Sequence, residues 1–303
     1  MLMFDHPQLE ALLAIVDTGS FDGAAARLGL TQSAVSQRIR ALEERAGGPV
    51  LRRGPPATPT QLGETLAIHA AELHRLNAQL AGKLGQPTGA MLTLAVNADS
   101  LATWFLPALE GLDPLRFRIR VEDQDHSADL VRSGEVAAAV TTRADPVQGA
   151  DSIVLGALRY IPTASPEFMR RHFADGITAA TLAAAPALVF NAKDAIQHDW
   201  ARLATGRDIR LDAHFLPSTR GFVEAARLGI GWCLNPEPLV RDDLDAGRLV
   251  ALLPDLPLDT PFYWHSSRIG AGLMAPLTAN VKKAAKAALI PHLSGENIPG
   301  GRA

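Results

Sequence analysis

Thr31-Gln-Ser-Ala-Val-Ser-Gln-Arg-Ile-Arg-Ala-Leu-Glu43 decides the reading of the N-terminal part of the chain. Placed on a helix, Val35, Ile39, Leu42 and Ala46 fall on one side, and Gln32, Ser33, Ser36, Gln37 and Arg40 fall on another. Thr31 is a fitting N-cap for this helix, which runs to about Arg45. Just before it, Phe21, Ala24, Ala25 and Leu28 repeat the helical spacing in a shorter segment, with Ser20 as cap. Leu28-Gly29-Leu30 is a tight turn whose glycine can adopt positive φ. Earlier still, Leu9, Leu12, Leu13 and Val16 line one face of a first helix. A short helix, a glycine turn and a helix with one buried and one polar edge describe a helix-turn-helix.

The polar edge suits a DNA groove, because amides and arginine can bond base edges while hydroxyls reach bases or phosphates. Thr31, Gln32, Ser33, Ser36, Gln37 and Arg40 are the expected groove-facing residues. Arg38, Arg52 and Arg53 are expected nearer phosphates, and Arg52-Arg53-Gly54 reads as the turn of a wing. Charge agrees. Net charge is −3, which argues against unselective coating of nucleic acid. Yet Arg27 to Arg53 carry six arginines against Glu43 and Glu44, while Asp5, Glu10, Asp17 and Asp22 precede them. An isolated helix with a solvated polar face would look similar; the helix before it and the wing turn after it argue for DNA.

Residues 59–87 read as a linker helix, with Thr58 as cap and Pro59 in the first turn. Leu62, Leu66, His69, Leu73, Leu76 and Leu80 alternate steps of four and three, a heptad seam with one polar member. Two partners can cover such a stripe: a second copy of the chain, with Leu62, Leu66, Leu73, Leu76 and Leu80 as the dimer contacts, or the chain's own first domain. Gly82, Gly85 and Pro87 end the helix and supply a hinge.

Beyond residue 88 the pattern alternates. MLTLAVN, FRIRVED, VAAAVTT, DSIVLGAL, APALVF, GIGWCL, RLVALL and FYWH are strand-like runs, separated by helical stretches at 100–110, 127–133, 219–228 and 276–289. Such alternation implies α/β layering with a largely parallel sheet. Over this length two lobes are expected, one of about 88–162 with 267–303, the other of about 163–266. Of the 303 residues 47% are hydrophobic and 20% charged, which fits a packed core rather than disorder. No apolar run reaches the ~18–20 residues of a membrane span, and no basic, apolar-cored leader is visible. With one cysteine, Cys233, there is no internal disulfide framework, and a cytoplasmic location is expected.

The segment Thr31 to Glu43 closely resembles the recognition-helix signature of LysR-type transcriptional regulators. Gly19-Ser20-Phe21, Ala24-Ala25-Ala26-Arg27-Leu28 and Thr60-x-x-Gly63 match the same family. Leu94-Ala-Val-Asn-Ala-Asp-Ser-Leu-Ala-Thr-Trp-Phe-Leu-Pro107, Val121-Glu-Asp-Gln-Asp-His126 and Tyr263-Trp264-His265 resemble its ArgP/LysG branch. One departure is Val50-Leu51, where a Leu-Phe pair is common. The resemblance implies a winged helix-turn-helix, a long linker helix and an α/β, two-lobed, periplasmic-binding-protein-like effector domain. It implies a homodimer or tetramer acting with RNA polymerase on double-stranded promoter DNA. It further implies a basic amino acid, lysine or arginine, as effector and an exporter gene as target.

The cleft can then be reasoned from residues. Strand 92–96 ends in Asn97-Ala98-Asp99-Ser100, and a helix is expected to start near Ser100, where free N–H groups favour a carboxylate. Glu122, Asp123 and Asp125 end the next strand and would meet a cationic side chain. Asp99 is placed for the α-ammonium. Thr141 and Thr142 end a third strand, Ser218 and Thr219 precede another helix, and Asn191 is a weaker candidate.

Two rival functions follow different lines. An enzyme would need catalytic or cofactor signatures, and HExxH, GxSxG, GxxxxGK[ST] and CxxC are all missing from the sequence. Histidines are scattered without metal spacing, and Cys233 sits in an apolar run as a core thiol, so no cofactor or metal is expected. A ligand-independent protein that blocks replication initiation or shapes DNA is the second rival. It would leave more than 200 residues of α/β domain without a role.

Overall fold

The computed structural model describes residues 4–52, 54–85, 89–122 and 127–291. Helices α1 (His6–Thr18), α2 (Phe21–Leu28) and α3 (Gln32–Ala46) pack around Leu9, Leu12, Ile15, Ala24, Val35, Ile39 and Leu42. Local chemistry sets their limits. The Ser20 hydroxyl accepts from the Gly23 amide at 3.0 Å, and Thr31 Oγ1 accepts from Ala34 at 3.2 Å. Gly29 ends α2 at φ +64°, the left-handed region that glycine enters without Cβ strain. Strands β1 (Leu51–Arg52) and β2 (Thr58–Pro59) pair antiparallel as the wing.

The linker helix α4 spans Gln61–Lys83. Its cap is Thr60, not Thr58, because Thr58 and Pro59 are held as a strand by Arg52 and Leu51. Thr60 Oγ1 accepts from Gly63 at 3.1 Å and donates to the Pro49 carbonyl at 2.7 Å. A Cβ on Gly63 would lie 1.9 Å from the Val50 carbonyl oxygen, so only glycine lets the helix start beneath the wing. This close approach is the physical content of Thr60-x-x-Gly63.

The remaining elements are β3 (Met91–Val96), α5 (Ala98–Thr103), a 3-10 turn (Leu106–Leu109), β4 (Arg116–Val121), α6 (Ser127–Arg132), β5 (Ala138–Thr141) and β6 (Ala150–Ala164). Then follow α7 (Pro166–His172), α8 (Ala179–Ala184), β7 (Ala187–Val189), α9 (Ile196–Thr205), β8 (Ala213–Phe215) and α10 (Thr219–Arg227). Last come β9 (Cys233–Pro236), α11 (Glu237–Asp245), β10 (Val250–Ala251), β11 (Leu258–Ser267) and α12 (Ala271–Ala288).

The main sheet runs β10-β6-β11-β5-β3-β4, with β9 also on β6. Only β3–β4 and β3–β5 are parallel; β11–β5, β11–β6, β6–β9 and β6–β10 are antiparallel. The expected largely parallel sheet is therefore corrected to a mixed one. The cause is β6, whose 15 residues pair with β11 along most of their length and with β9 and β10 from Tyr160 onward. One strand thus serves two groups of elements, β3–β5 with α5, α6 and α12, and β7–β10 with α7–α11. Indoles fill the joint core: Trp200 and Trp232 lie 5.5 Å apart, and Phe105 sits between Trp104 and Trp264.

Candidate functional site

The polar edge of α3 is open. Thr31, Gln32, Ser33, Gln37 and Arg40 are exposed, while Ser36 and Arg38 are half-buried beside the core residues Val35 and Ile39. Arg52 is exposed on the wing strand β1; Arg53 lies outside the described residues. The arginines of this region divide into two groups. Arg27 is paired with Asp17 at 2.5 Å and Arg45 with Asp5 at 3.0 Å, so both serve the scaffold. Among the described residues no carboxylate lies within ion-pair distance of Arg38, Arg40 or Arg52. These three carry the positive charge available to phosphates and base edges.

The second site lies where β3, β4 and β5 end. Val96 pairs with Val121 and Ala95 with Ala139, so Asn97, Glu122 and Thr141 leave neighbouring strands at about one level. Asn97 Oδ1 accepts from the Ser100 amide at 2.9 Å. The helix α5 therefore starts at Ala98 with Asn97 as its cap, and Ser100 is inside it rather than at its head. Ser100 is fully buried and its hydroxyl has no hydrogen-bond partner among the described residues.

Asp99 is the centre of the arrangement. Its Oδ2 accepts from the Tyr160 hydroxyl at 2.8 Å and its Oδ1 from the Thr219 hydroxyl at 2.6 Å. Tyr160 comes from β6 and Thr219 opens α10, so three separate elements meet at one carboxyl. Burial raises its pKa above the ordinary carboxylate value, against the opposing pull of the two hydroxyls. Asp194, in the loop before α9, is raised for the same first reason, burial, with the charge of Asp99 adding to it. Tyr160 and Asp194 were not expected from the sequence; a buried tyrosine hydroxyl in a strand is the one signal that could have pointed to the first.

The other expected contacts fall into place unevenly. Ser218 is occupied as the cap of α10, accepting from Gly221 at 3.1 Å, while Thr219 is the member that reaches Asp99. Thr141 is buried and accepts from the Arg143 amide at 3.1 Å; Thr142 is half-buried. Glu122 already receives Arg120 at 2.8 Å and 3.1 Å. Asp123 and Asp125 lie outside the described residues. Asn191 closes a local turn, accepting from Lys193 and Asp194. Cys233 is buried and its thiol is pushed up to about 12 by burial, which removes it as a nucleophile at neutral pH. Among the described residues no group of three His, Cys, Asp or Glu is placed to hold a metal ion, and no helix is long and apolar enough to cross a membrane.

The linker seam divides. Leu62, Leu66 and Leu73 pack against the helix-turn-helix core of their own chain, whereas Leu76 and Leu80 are 47% and 57% exposed. The first half of the stripe is thus covered from within.

A DNA-reading helix pair and a ligand-sized α/β domain on one chain define a one-component transcription regulator. Residues 6–64 match the model of the bacterial regulatory helix-turn-helix protein of the lysR family, and residues 85–277 match the LysR substrate binding domain. The chain belongs to the LysR family of DNA-binding, non-enzymatic regulators, in its ArgP/LysG branch. The lysine export transcriptional regulatory protein LysG of Corynebacterium glutamicum is 39% identical over 292 residues, 94% of this chain and 99% of that protein. The crystal structure of ArgP from Mycobacterium tuberculosis is similar with a TM-score of 0.79 at 42% identity, over 96% of this chain and 100% of that one. Full-length LysG of C. glutamicum with its effector Arg bound gives a TM-score of 0.66 at 37% identity, over 95% and 100%.

Proposed function

We propose that this regulator senses a basic amino acid, lysine or arginine, in the cleft around Asp99 and controls a gene for its export. One observation carries the reading. Asp99 is a buried carboxyl held by hydroxyls from two other elements, with no cation of the protein within ion-pair distance among the described residues. A buried carboxylate without a cation is costly, and a ligand ammonium relieves that cost. In this reading Asp99 takes the α-ammonium, and Asn97, Ser100, Thr141, Thr142, Ser218 and Thr219 surround the ligand backbone. Asp123 or Asp125 takes the distal cation. The arginine bound to the C. glutamicum relative, and that relative's name as a lysine export regulator, support the same class of ligand and target.

The assembly follows from the linker. Leu76 and Leu80 meet a second copy, and the resulting homodimer or tetramer grips two half-sites of promoter DNA and engages RNA polymerase. The two lobes are residues of about 88–162 with 267–303, and about 163–266. Calorimetric titration with lysine, arginine and histidine tests the effector, and footprinting with and without the best binder tests its consequence. Asp123→Asn is expected to weaken lysine and arginine far more than the neutral isostere norleucine. A lysine dissociation constant unchanged within about twofold for both Asp123→Asn and Asp125→Asn, worth only ~0.4 kcal/mol, sinks the assignment of the distal cation.

A further inference from the structure

We infer that Tyr160 is a positioning residue of the effector site, which keeps the Asp99 carboxylate anionic so that the cleft selects a ligand ammonium. The inference rests on the reading of Asp99 as the partner of the α-ammonium, and it adds a residue on which affinity depends although it lies beside the ligand's partner rather than on the ligand.

Tyr160 stands on β6 at the point where that strand passes from β11 to β9, and it is 2% exposed. Its hydroxyl donates to Asp99 Oδ2 at 2.8 Å, while Thr219 donates to Oδ1 at 2.6 Å. A carboxylate offers about four lone-pair positions. Two hydroxyls occupy one on each oxygen and leave the others for an ammonium. The groups facing Asp99 are Tyr160 from β6, Thr219 from α10 and the carboxyl of Asp194 from the loop before α9. Among the described residues no Lys, Arg or His lies within ion-pair distance of Asp99. Burial favours the neutral acid, and the two hydroxyl donors are what favours the anion. Removal of one of them shifts the balance toward the proton, and a neutral carboxyl is a poor partner for an ammonium.

The sign is then fixed. Lysine binding to the wild type weakens as pH falls, because the raised Asp99 pKa brings protonation into competition with the ligand. Tyr160→Phe moves that weakening to higher pH. The deficit of the variant in lysine binding is expected to grow as pH falls and to level off at roughly tenfold, the size expected for one hydrogen bond to a charged group, and to shrink to within about twofold at the alkaline end of the series. A merely structural tyrosine would give the same loss at every pH, and that result overturns the proposal.

A second arm needs no ligand. Thermal unfolding of the full chain is followed from pH 5 to pH 8.5 for the wild type, Tyr160→Phe, Asp99→Asn and the double variant. The pH-dependent part of the Tyr160→Phe effect is expected to vanish in the Asp99→Asn background. An effect that persists there refutes the link between the two residues. If the link holds while neither lysine nor arginine binds the wild type, the basic-amino-acid reading falls and the role of Tyr160 in holding Asp99 anionic stands.

Discussion

Arg40 and Arg52 are both exposed and have no carboxylate within ion-pair distance among the described residues, yet they stand on different elements. Arg40 is on the polar edge of α3 with Gln37 and Ser33, whereas Arg52 is on the wing. Arg40→Ala is expected to cost about 1–3 kcal/mol on cognate DNA and to relax base preference. Arg52→Ala should weaken all sequences alike and reduce the salt slope by about one unit. Binding to cognate and random duplexes over a salt series separates the two, and equal losses for Arg40→Ala on both duplexes would reject its base contact. Asp243 shows residue-scale electrostatics of a structural kind. Its buried carboxyl receives Arg227 and Arg248. Burial opposes its ionisation, but the two guanidinium groups outweigh burial and hold its pKa below the ordinary value. A depressed folded pKa gives stability that is present above the unfolded pKa and lost as pH falls through the folded one. Asp243→Asn is therefore expected to cost about 2 kcal/mol at pH 7, discounted because both arginines are partly exposed, and to cost progressively less below about pH 4. Denaturant titrations at pH 7 and pH 3.5 check this, and a loss as large at pH 3.5 as at pH 7 would exclude the ion-pair account.

Elements divide by what they depend on. The linker helix has two halves with different neighbours, so its leucines should respond differently. Leu80→Glu places charge on an exposed turn and is expected to weaken self-association without lowering the melting temperature of the DNA-binding unit. Leu73→Glu is expected to lower that melting temperature instead, because Leu73 packs into the helix-turn-helix core. Sedimentation and thermal denaturation distinguish these outcomes; an intact dimer for Leu80→Glu removes this part of the linker from the interface. The same contrast explains what was legible in the sequence. Helices α1 to α3 and their caps Ser20 and Thr31 depend on neighbours a few residues away, and periodicity reveals them. The start of α4 was misplaced because Thr58 and Pro59 pair with Arg52 and Leu51, six and eight positions away in the wing. The helix expected at 276–289 begins at Ala271, since Pro276 looks like a first-turn residue yet lies inside. The helices α7, α8, α9 and α11 and strand β8 are only three to ten residues long, too short for periodicity to set them apart from the loops around them. At the cleft, Asp99, Ser218 and Thr219 were visible as strand-end and helix-start residues. Tyr160 was not, because its partner is 61 residues away and nothing local announces the pairing.

At the scale of the whole molecule, the DNA-binding unit and the effector domain touch through a small set of polar groups. The side chain of Asp17, at the end of α1, is only 5% exposed and receives Arg27 from α2 and Arg118 from β4, each at 2.5 Å. Alongside, Ile68, Glu72, Arg75 and Gln79 of α4 lie against glycines of the effector domain. A Cβ on Gly134 would sit 2.8 Å from Glu72 and 2.9 Å from Ile68; on Gly270, 3.2 Å from Arg75; on Gly272, 3.1 Å from Gln79. The seat carries its own penalty. Arg75 is buried with Nε and Nη2 lacking acceptors among the described residues, and its nearest carboxylate, Glu72, is 4.0 Å away. Separation of the seat would hydrate that guanidinium, so the docked arrangement is stabilised at Asp17 and opposed at Arg75. A contact balanced in this way can be shifted by modest free energies, and a ligand shifts it only by binding the two arrangements with different affinity. Arg118 of the Asp17–Arg118 pair sits on β4, the strand whose far end leads into Glu122 at the proposed effector site. Arg118→Ala leaves Arg27 on Asp17 and touches no cleft residue. It is expected to leave the effector dissociation constant within about twofold. It should lower the ratio of docked to undocked molecules about fivefold, a shift near 1 kcal/mol for a partly exposed arginine. Distance distributions between spin labels on α1 and β4 report that ratio with and without lysine. A distribution unchanged by Arg118→Ala would mean that the seat of α4 alone holds the two units together.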